Sequence, residues 1–303
     1  MTVVDELKES TKKLFTKEEL GQYWNDLYKD VENCRDYHFV QRLEIVSRLI
    51  TQRFGRDARV LDLGCGAGVL TERLVAAGFN VDAADMSPDM LEFSKKRLAG
   101  YDASRYRVYQ AECAAIPVPD DTFDVVACIG VFGYMEDVDS AIREIQRVLR
   151  PGGTLVMSIR NSQHGAVFDG LSWLKAPVTT LPKVVLRRLA PRLFSASQRQ
   201  SEEGECKGGA GADAPRHTID IFDKPRRIEG IFASFGFTLS DFQGAGYGPP
   251  TFSGHSLVSQ KRGKKLSEAL GRVVSVAGIE ERAKWYADIS VYVFENSEEA
   301  ARS

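Results

Sequence analysis

Val60-Leu61-Asp62-Leu63-Gly64-Cys65-Gly66-Ala67-Gly68 is a short apolar run that carries an acid and ends in three glycines at alternate positions. A helical pattern follows, with Leu70, Leu74 and Ala77 along one side. Strand, glycine turn and helix in that order predict a nucleotide-type cradle. Glycine tolerates φ > 0 and lets a ligand approach the backbone with no Cβ in the way. A dinucleotide fold would need G-x-G-x-x-G/A. Counted from Gly64 the last position of that pattern is Val69, and counted from Gly66 it is Thr71, so neither reading fits. The pattern present is G-x-G-x-G. The next strand, Phe79-Asn80-Val81-Asp82-Ala83-Ala84-Asp85, ends in an acid 17 residues after Gly68. Dinucleotide folds place a ribose-binding carboxylate about 20 residues on.

Outward from this stretch, strands and helices alternate with short connections from Arg59 to Asn161, which predicts a parallel sheet. Ser87-Pro88 offers an N-cap and a proline at the first helical position, and Leu91, Ser94 and Leu98 share a face. Arg107 to Ala111 reads as a third strand running into Glu112, and Val125 to Ile129 as a fourth. Ile142, Ile145 and Leu149 line a helix that Arg150-Pro151-Gly152-Gly153 stops, and Thr154 to Ile159 is a fifth strand. Upstream, Leu20, Tyr23, Trp24, Leu27 and Val31, then Leu43, Val46 and Ile50, repeat at helical spacing. This layer packs on the sheet, and its aromatics also suit a cap over the site.

With Leu61-Asp62-Leu63 ahead of the glycines, the opening stretch resembles motif I of the class I S-adenosylmethionine (SAM) methyltransferases. The turn Ala115-Ile116-Pro117-Val118-Pro119-Asp120-Asp121-Thr122-Phe123-Asp124 and the block Arg147-Val148-Leu149-Arg150-Pro151-Gly152-Gly153 are similar to that family's stretches at the same points. The resemblance implies a Rossmann-like α/β fold with a seven-stranded, mostly parallel sheet and an antiparallel last strand. It also implies SAM as cofactor and contacts from Asp62, Gly64, Gly66, Gly68, Asp85, Met86, Glu112, Cys113 and Ile129. Asp62 would serve the ammonium, directly or through water, and Asp85 the ribose diol. Where the family usually carries an adenine-binding aspartate this chain has Glu112, one methylene longer, followed by the backbone N–H of Cys113.

Four parts are expected: an N-terminal helical cap over 1–55, a SAM-binding core over 56–162, a lid insertion over 163–222, and over 223–303 the rest of the core with a helical insertion. Residues 170–200 hold Lys175, Lys183, Arg187, Arg188, Arg192 and Arg199 and no acid, interleaved with leucines and valines. Such a stretch suits a lid with solvated charges, or a weak contact with an anionic membrane surface. In the C-terminal part, Ile228, Ile231, Phe232 and Phe235 mark a helix, Phe237 to Phe242 and Ile289 to Glu295 are strands, and Leu266, Leu270 and Val273 lie on another helix.

The chain has 303 residues, 43% of them hydrophobic and 27% charged, with a net charge of −2. That is a globular composition, and it argues against general nucleic-acid binding. Five cysteines without a C-x-x-C pair read as reduced, so a cytoplasmic protein is expected, and no cluster has metal-ligand spacing.

A sulfonium methyl group is already activated, so the protein's task is mainly alignment and exclusion of water. A base is needed when the acceptor carries a proton. His217, in His217-Thr218-Ile219-Asp220-Ile221-Phe222-Asp223-Lys224-Pro225, is the expected base, because that segment resembles quinone-pathway O-methyltransferases. His164 and Tyr134, placed after strands five and four, are the other candidates. The expected activity is methyl transfer to a small molecule, with O-methylation favoured. C- or N-methylation of a small metabolite, and SAM binding without transfer, are the alternatives.

Overall fold

In the computed structural model, described for residues 22, 28, 34–135, 137–160, 225–246, 251–252, 255–256, 260–276, 287 and 289–297, the alternation becomes one twisted sheet between two helical layers. The elements in chain order are α1 (Cys34–Arg53), β1 (Arg59–Leu63), α2 (Val69–Ala76), β2 (Asn80–Asp85), α3 (Pro88–Leu98), β3 (Tyr106–Gln110), β4 (Phe123–Ile129), α4 (Val138–Val148) and β5 (Leu149–Arg160). After them come α5 (Pro225–Ala233), β6 (Phe237–Ala245), β7 (Thr251–Phe252), β8 (His255–Ser256), α6 (Gln260–Val276) and β9 (Ile289–Asn296). The large sheet runs β3-β2-β1-β4-β5-β9-β6. Its first five strands are parallel, and β9 is antiparallel to both neighbours. This is the expected seven-stranded sheet with its last strand reversed. The small ladder of β7 and β8 stands apart from it.

Because strand side chains alternate between faces, the buried strands feed two cores. Leu61, Val126, Cys128, Met157 and Phe294 pack under α4 and α5. Val60, Val125, Ala127, Val156 and Val293 pack under α1 and α2. On α4, Ile142 and Ile145 are fully buried, each stabilising the fold by roughly 1.5–3 kcal/mol. Arg147 on α4 donates to the carbonyls of Ile116 and Val118 and to Glu144 and Asp120, which fixes the turn leading into β4.

Two boundaries differ from the sequence reading. The third strand ends at Gln110, and Glu112 instead pairs with Ala115 in an isolated bridge. Strand β5 begins at Leu149, directly after α4, because Leu149 pairs with Phe123 before the register shifts to Val125 and Thr154. Of the expected parts, 163–222 lies outside the described residues, as do all but two positions before Cys34.

Candidate functional site

The sheet order reverses between β1 and β4, and a crevice at the carboxyl ends of those strands is where such sheets take ligands. The glycine loop fills this place. The N–H groups of Gly64 and Cys65 both donate to the Ala84 carbonyl, at 2.7 and 3.0 Å, strapping the loop to the end of β2. The three loop glycines have φ of 73°, 52° and 75°, a region L side chains rarely adopt. Their surroundings differ. A Cβ on Gly64 would lie 2.3 Å from Val131 Cγ2, and one on Gly68 would lie 2.5 Å from Ser94 Oγ. At Gly66 a Cβ would meet nothing within 4 Å. The outer glycines are therefore demanded by packing, and the middle one faces open space.

This contrast gives a first expected result. Gly64→Ala should destabilise the fold by about 2–4 kcal/mol, combining left-handed strain with overpacking against a stiff valine. Gly66→Ala should cost only about 1–2 kcal/mol of folding stability, yet lower the affinity of a ligand seated on the loop more than tenfold. Urea unfolding and calorimetry on the two variants separate these effects.

Asp85 ties the loop to the next helix. Its Oδ2 accepts from Gly66 N–H and its Oδ1 from Ser87 N–H, both at 2.9 Å. Burial pushes its carboxyl up, against the opposing pull of the N–H groups of Ser87, Gly66 and Met86. Each carboxylate oxygen has a second lone pair to offer. Ser87 caps α3 through Met90 N–H, as its place before Pro88 predicts. Ala111 N–H donates to the Asp85 carbonyl, which brings the end of β3, and with it the half-buried Cys113 and exposed Glu112, beside Asp85. Met86, whose carbonyl accepts from Gln110, and Ile129 are half-buried at the ends of β2 and β4.

Asp62 sits at the base of the loop, 2% exposed, with Oδ2 accepting from the Thr71 hydroxyl at 2.6 Å. Burial pushes its carboxyl up to about 7, Asp85 adds to the rise, and Thr71 opposes it. Cys65, Cys113 and Cys128 are unpaired, and burial raises their thiols, so none of the three is an activated nucleophile.

One residue of this crevice escapes sequence reasoning. Arg42 on α1 is buried, its Nη2 donates to the Tyr28 hydroxyl at 2.9 Å, and its guanidinium covers the Phe39 ring. A Cβ on Gly130 would lie 2.6 Å from Arg42 Nη1, which places the cation at the end of β4, one residue before Val131, whose side chain lies against Gly64 of the loop. Its Nε has no protein partner, and no carboxylate among the described residues pairs with it. In the sequence it is merely one charge beside the apolar positions Leu43, Val46 and Ile50.

His217 and His164 lie outside the described residues. Tyr134 is half-buried in a single helical turn after β4, where its sequence position put it. His38 belongs to the packing: its ring lies against Gly246 and its Nε2 is 3.3 Å from Ser267 Oγ. Among the described residues no group of His, Cys, Asp and Glu could hold a metal ion, and no helix is long and apolar enough to cross a membrane.

Comparison with known proteins agrees with this geometry. Residues 61–157 match a family model described as a methyltransferase domain. Over 112 residues the chain is 37% identical to a ubiquinone biosynthesis O-methyltransferase of Xanthomonas oryzae pv. oryzae, covering 36% of this chain and 46% of that protein. Over 101 residues it is 41% identical to a demethylmenaquinone methyltransferase of Clavibacter sepedonicus, covering 33% and 40%. The chain thus spans less than half the length of these curated relatives. In fold it is similar to a magnesium protoporphyrin IX methyltransferase from Synechocystis PCC 6803 solved with SAH, at a TM-score of 0.56 and 16% identity, covering 96% of this chain and 100% of that one. The open G-x-G-x-G loop, the acid ending β2 and the strand order all fall within or beside the matched segment: residues 61–157 of this chain match a methyltransferase domain.

Proposed function

We propose that this protein transfers a methyl group from SAM to a small-molecule acceptor, with an oxygen nucleophile favoured. The observation that carries the reading is the cradle itself: Gly66 facing open space beside a doubly anchored Asp85, with the buried, carboxylate-free Arg42 at the end of β4. These groups match SAM part by part. Asp85 accepts from the ribose hydroxyls with its remaining lone pairs. Arg42 donates to the carboxylate of the amino-acid tail, and Asp62 offsets its ammonium from beneath the loop. Gly64 and Gly68 keep the backbone close, while Met86, Glu112, the Cys113 N–H and Ile129 surround the adenosine. When bound, SAM supplies an activated sulfonium methyl group. The protein aligns the nucleophile and excludes water, and His217 takes the acceptor's proton.

The oxygen preference rests on the resemblance of the His217 segment to quinone-pathway O-methyltransferases and on the curated relative named for that chemistry. C- or N-methylation, and SAM binding without transfer, would leave the same cradle. A panel of phenols, quinols and carboxylic acids, incubated with methyl-labelled SAM, separates these readings. An O-methyl product supports the proposal. Label on carbon or nitrogen, or SAM retained unchanged against every acceptor, would replace it. The odd cysteine count and the unpaired Cys65, Cys113 and Cys128 fit a reducing compartment, and we place the reaction in the cytoplasm.

Asp62 makes the unliganded protein pH-sensitive in a defined direction. Its carboxyl titrates near 3.8 when unfolded and at about 7 when folded, so between those values the folded state holds the extra proton. Stability should therefore fall as pH rises from about 4 to 7 and level off above, by an amount on the order of a few kcal/mol. Asp62→Asn should remove this slope, read as the urea midpoint across pH. In the wild type, the ligand's ammonium favours the carboxylate, so SAM affinity should rise through pH 7 with proton release.

A further inference from the structure

Helix α6, QKRGKKLSEALGRVVSV, carries five basic residues and one acid in a chain whose net charge is −2. At 100° per residue, Arg262, Lys265, Arg272 and Val273 fall within an arc of about 100°, and all four are exposed. Val273, at 59%, is the one exposed large hydrophobic side chain among the described residues. No acid among the described residues pairs with Arg262, Lys265 or Arg272. The opposite side of the helix is spent on packing. Gly263 and Ser267 are buried, and Ser267 Oγ meets His38 on α1.

Like charges gathered on one helix face cost stability in isolation. Packing does not require them here, since the buried side of α6 is made by other residues. The His38 ring also lies against Gly246, at the end of β6, so α6 sits at the carboxyl edge of the sheet, the edge that holds the cradle.

We infer that the outer face of α6 docks on a bilayer of anionic phospholipid, with Val273 entering the headgroup boundary and Arg262, Lys265 and Arg272 meeting the phosphates. The helix is about 25 Å long, enough to lie flat on such a surface. The arc carries no aromatic side chain on which a base could stack, and stacking is what single-stranded nucleic acid asks of a protein surface. Docking there would hold the edge that bears the cradle at the membrane, where lipophilic acceptors concentrate. The inference stands on α6 alone and does not depend on which atom is methylated.

Sedimentation of the full chain with phosphatidylglycerol/phosphatidylcholine vesicles tests it. The protein should sediment with these vesicles, less so as salt rises, and should stay in solution with phosphatidylcholine alone. Each basic side chain near such a surface is worth about 1 kcal/mol, or about fivefold in partitioning. Arg262→Glu, Lys265→Glu and Arg272→Glu combined should therefore lower the partition coefficient at least tenfold. SAM affinity of this variant should match the wild type, which shows that it is folded. Val273→Asp should weaken partitioning severalfold on its own. Unchanged sedimentation of the triple variant, equal binding to uncharged vesicles, or no binding by the wild type would overturn the inference. So would a triple variant that loses affinity for a single-stranded oligonucleotide while its vesicle binding persists.

Discussion

Asp85→Ala is expected to lower SAM affinity by about a hundredfold while the protein still folds. The reason is that one carboxylate does two jobs. It would accept charge-assisted hydrogen bonds from both ribose hydroxyls, each worth roughly 1.5–3 kcal/mol. It also receives the N–H groups of Gly66 and Ser87, so it sets the position of the open glycine and the start of α3 together. Losing the first job alone accounts for about a hundredfold at the low end of that range, and loosening the loop adds to it. Asp85→Asn is the informative companion, since an amide keeps one acceptor oxygen but no charge, and it should fall between wild type and alanine. Calorimetric titration reads all three. Unchanged affinity in Asp85→Ala would remove Asp85 from the site, whatever became of the loop.

His217→Ala should lower turnover by about 10²-fold or more, the scale on which a positioned base contributes. A phenol ionises well above neutral pH and is a poor nucleophile until its proton is taken, and an imidazole with an ordinary pKa near 6.5 can take it. SAM affinity should hardly move, because the proposed contacts Asp62, Asp85, Arg42 and the glycine loop all lie earlier in the chain. The variant should regain rate as pH rises and the acceptor ionises unaided. Initial rates across pH, with the best acceptor from the panel, check this. Near-normal turnover at pH 7 would assign the proton to another group, His164 or Tyr134 first, or show that alignment alone carries the reaction.

The residues of the core announced themselves because local chemistry and global fold agree there. The failure of G-x-G-x-x-G at Val69 and Thr71 was enough to turn the reading away from a dinucleotide, and Asp85 stands where the loop needs it. Strand periodicity likewise located β1 to β4 within two residues and β5 without its first five. Roles that depend on neighbours distant in the chain were hidden. Nothing in the spacing of Gly64, Gly66 and Gly68 tells which of them Val131 and Ser94 press against and which faces open space. Arg42 was invisible for the same reason, because its meaning comes from Gly130, 88 residues later. Asp62 was legible as an acid on the loop, but its burial against Thr71, which raises its carboxyl, is a tertiary fact. On α6 the spacing of Leu266, Leu270 and Val273 shows only an apolar helix face, and the structure instead leaves Val273 exposed.

The most direct test of SAM binding at this cradle is an equilibrium titration of the wild-type chain with SAM, S-adenosylhomocysteine and NAD, side by side. One SAM per chain is expected, with a dissociation constant within the roughly 1 μM–1 mM span usual for enzyme ligands. S-adenosylhomocysteine should compete for the same site, NAD should give no heat, and SAM affinity should rise through pH 7. Binding of NAD in place of SAM, or SAM binding that survives both Gly66→Ala and Asp85→Ala undiminished, would contradict it.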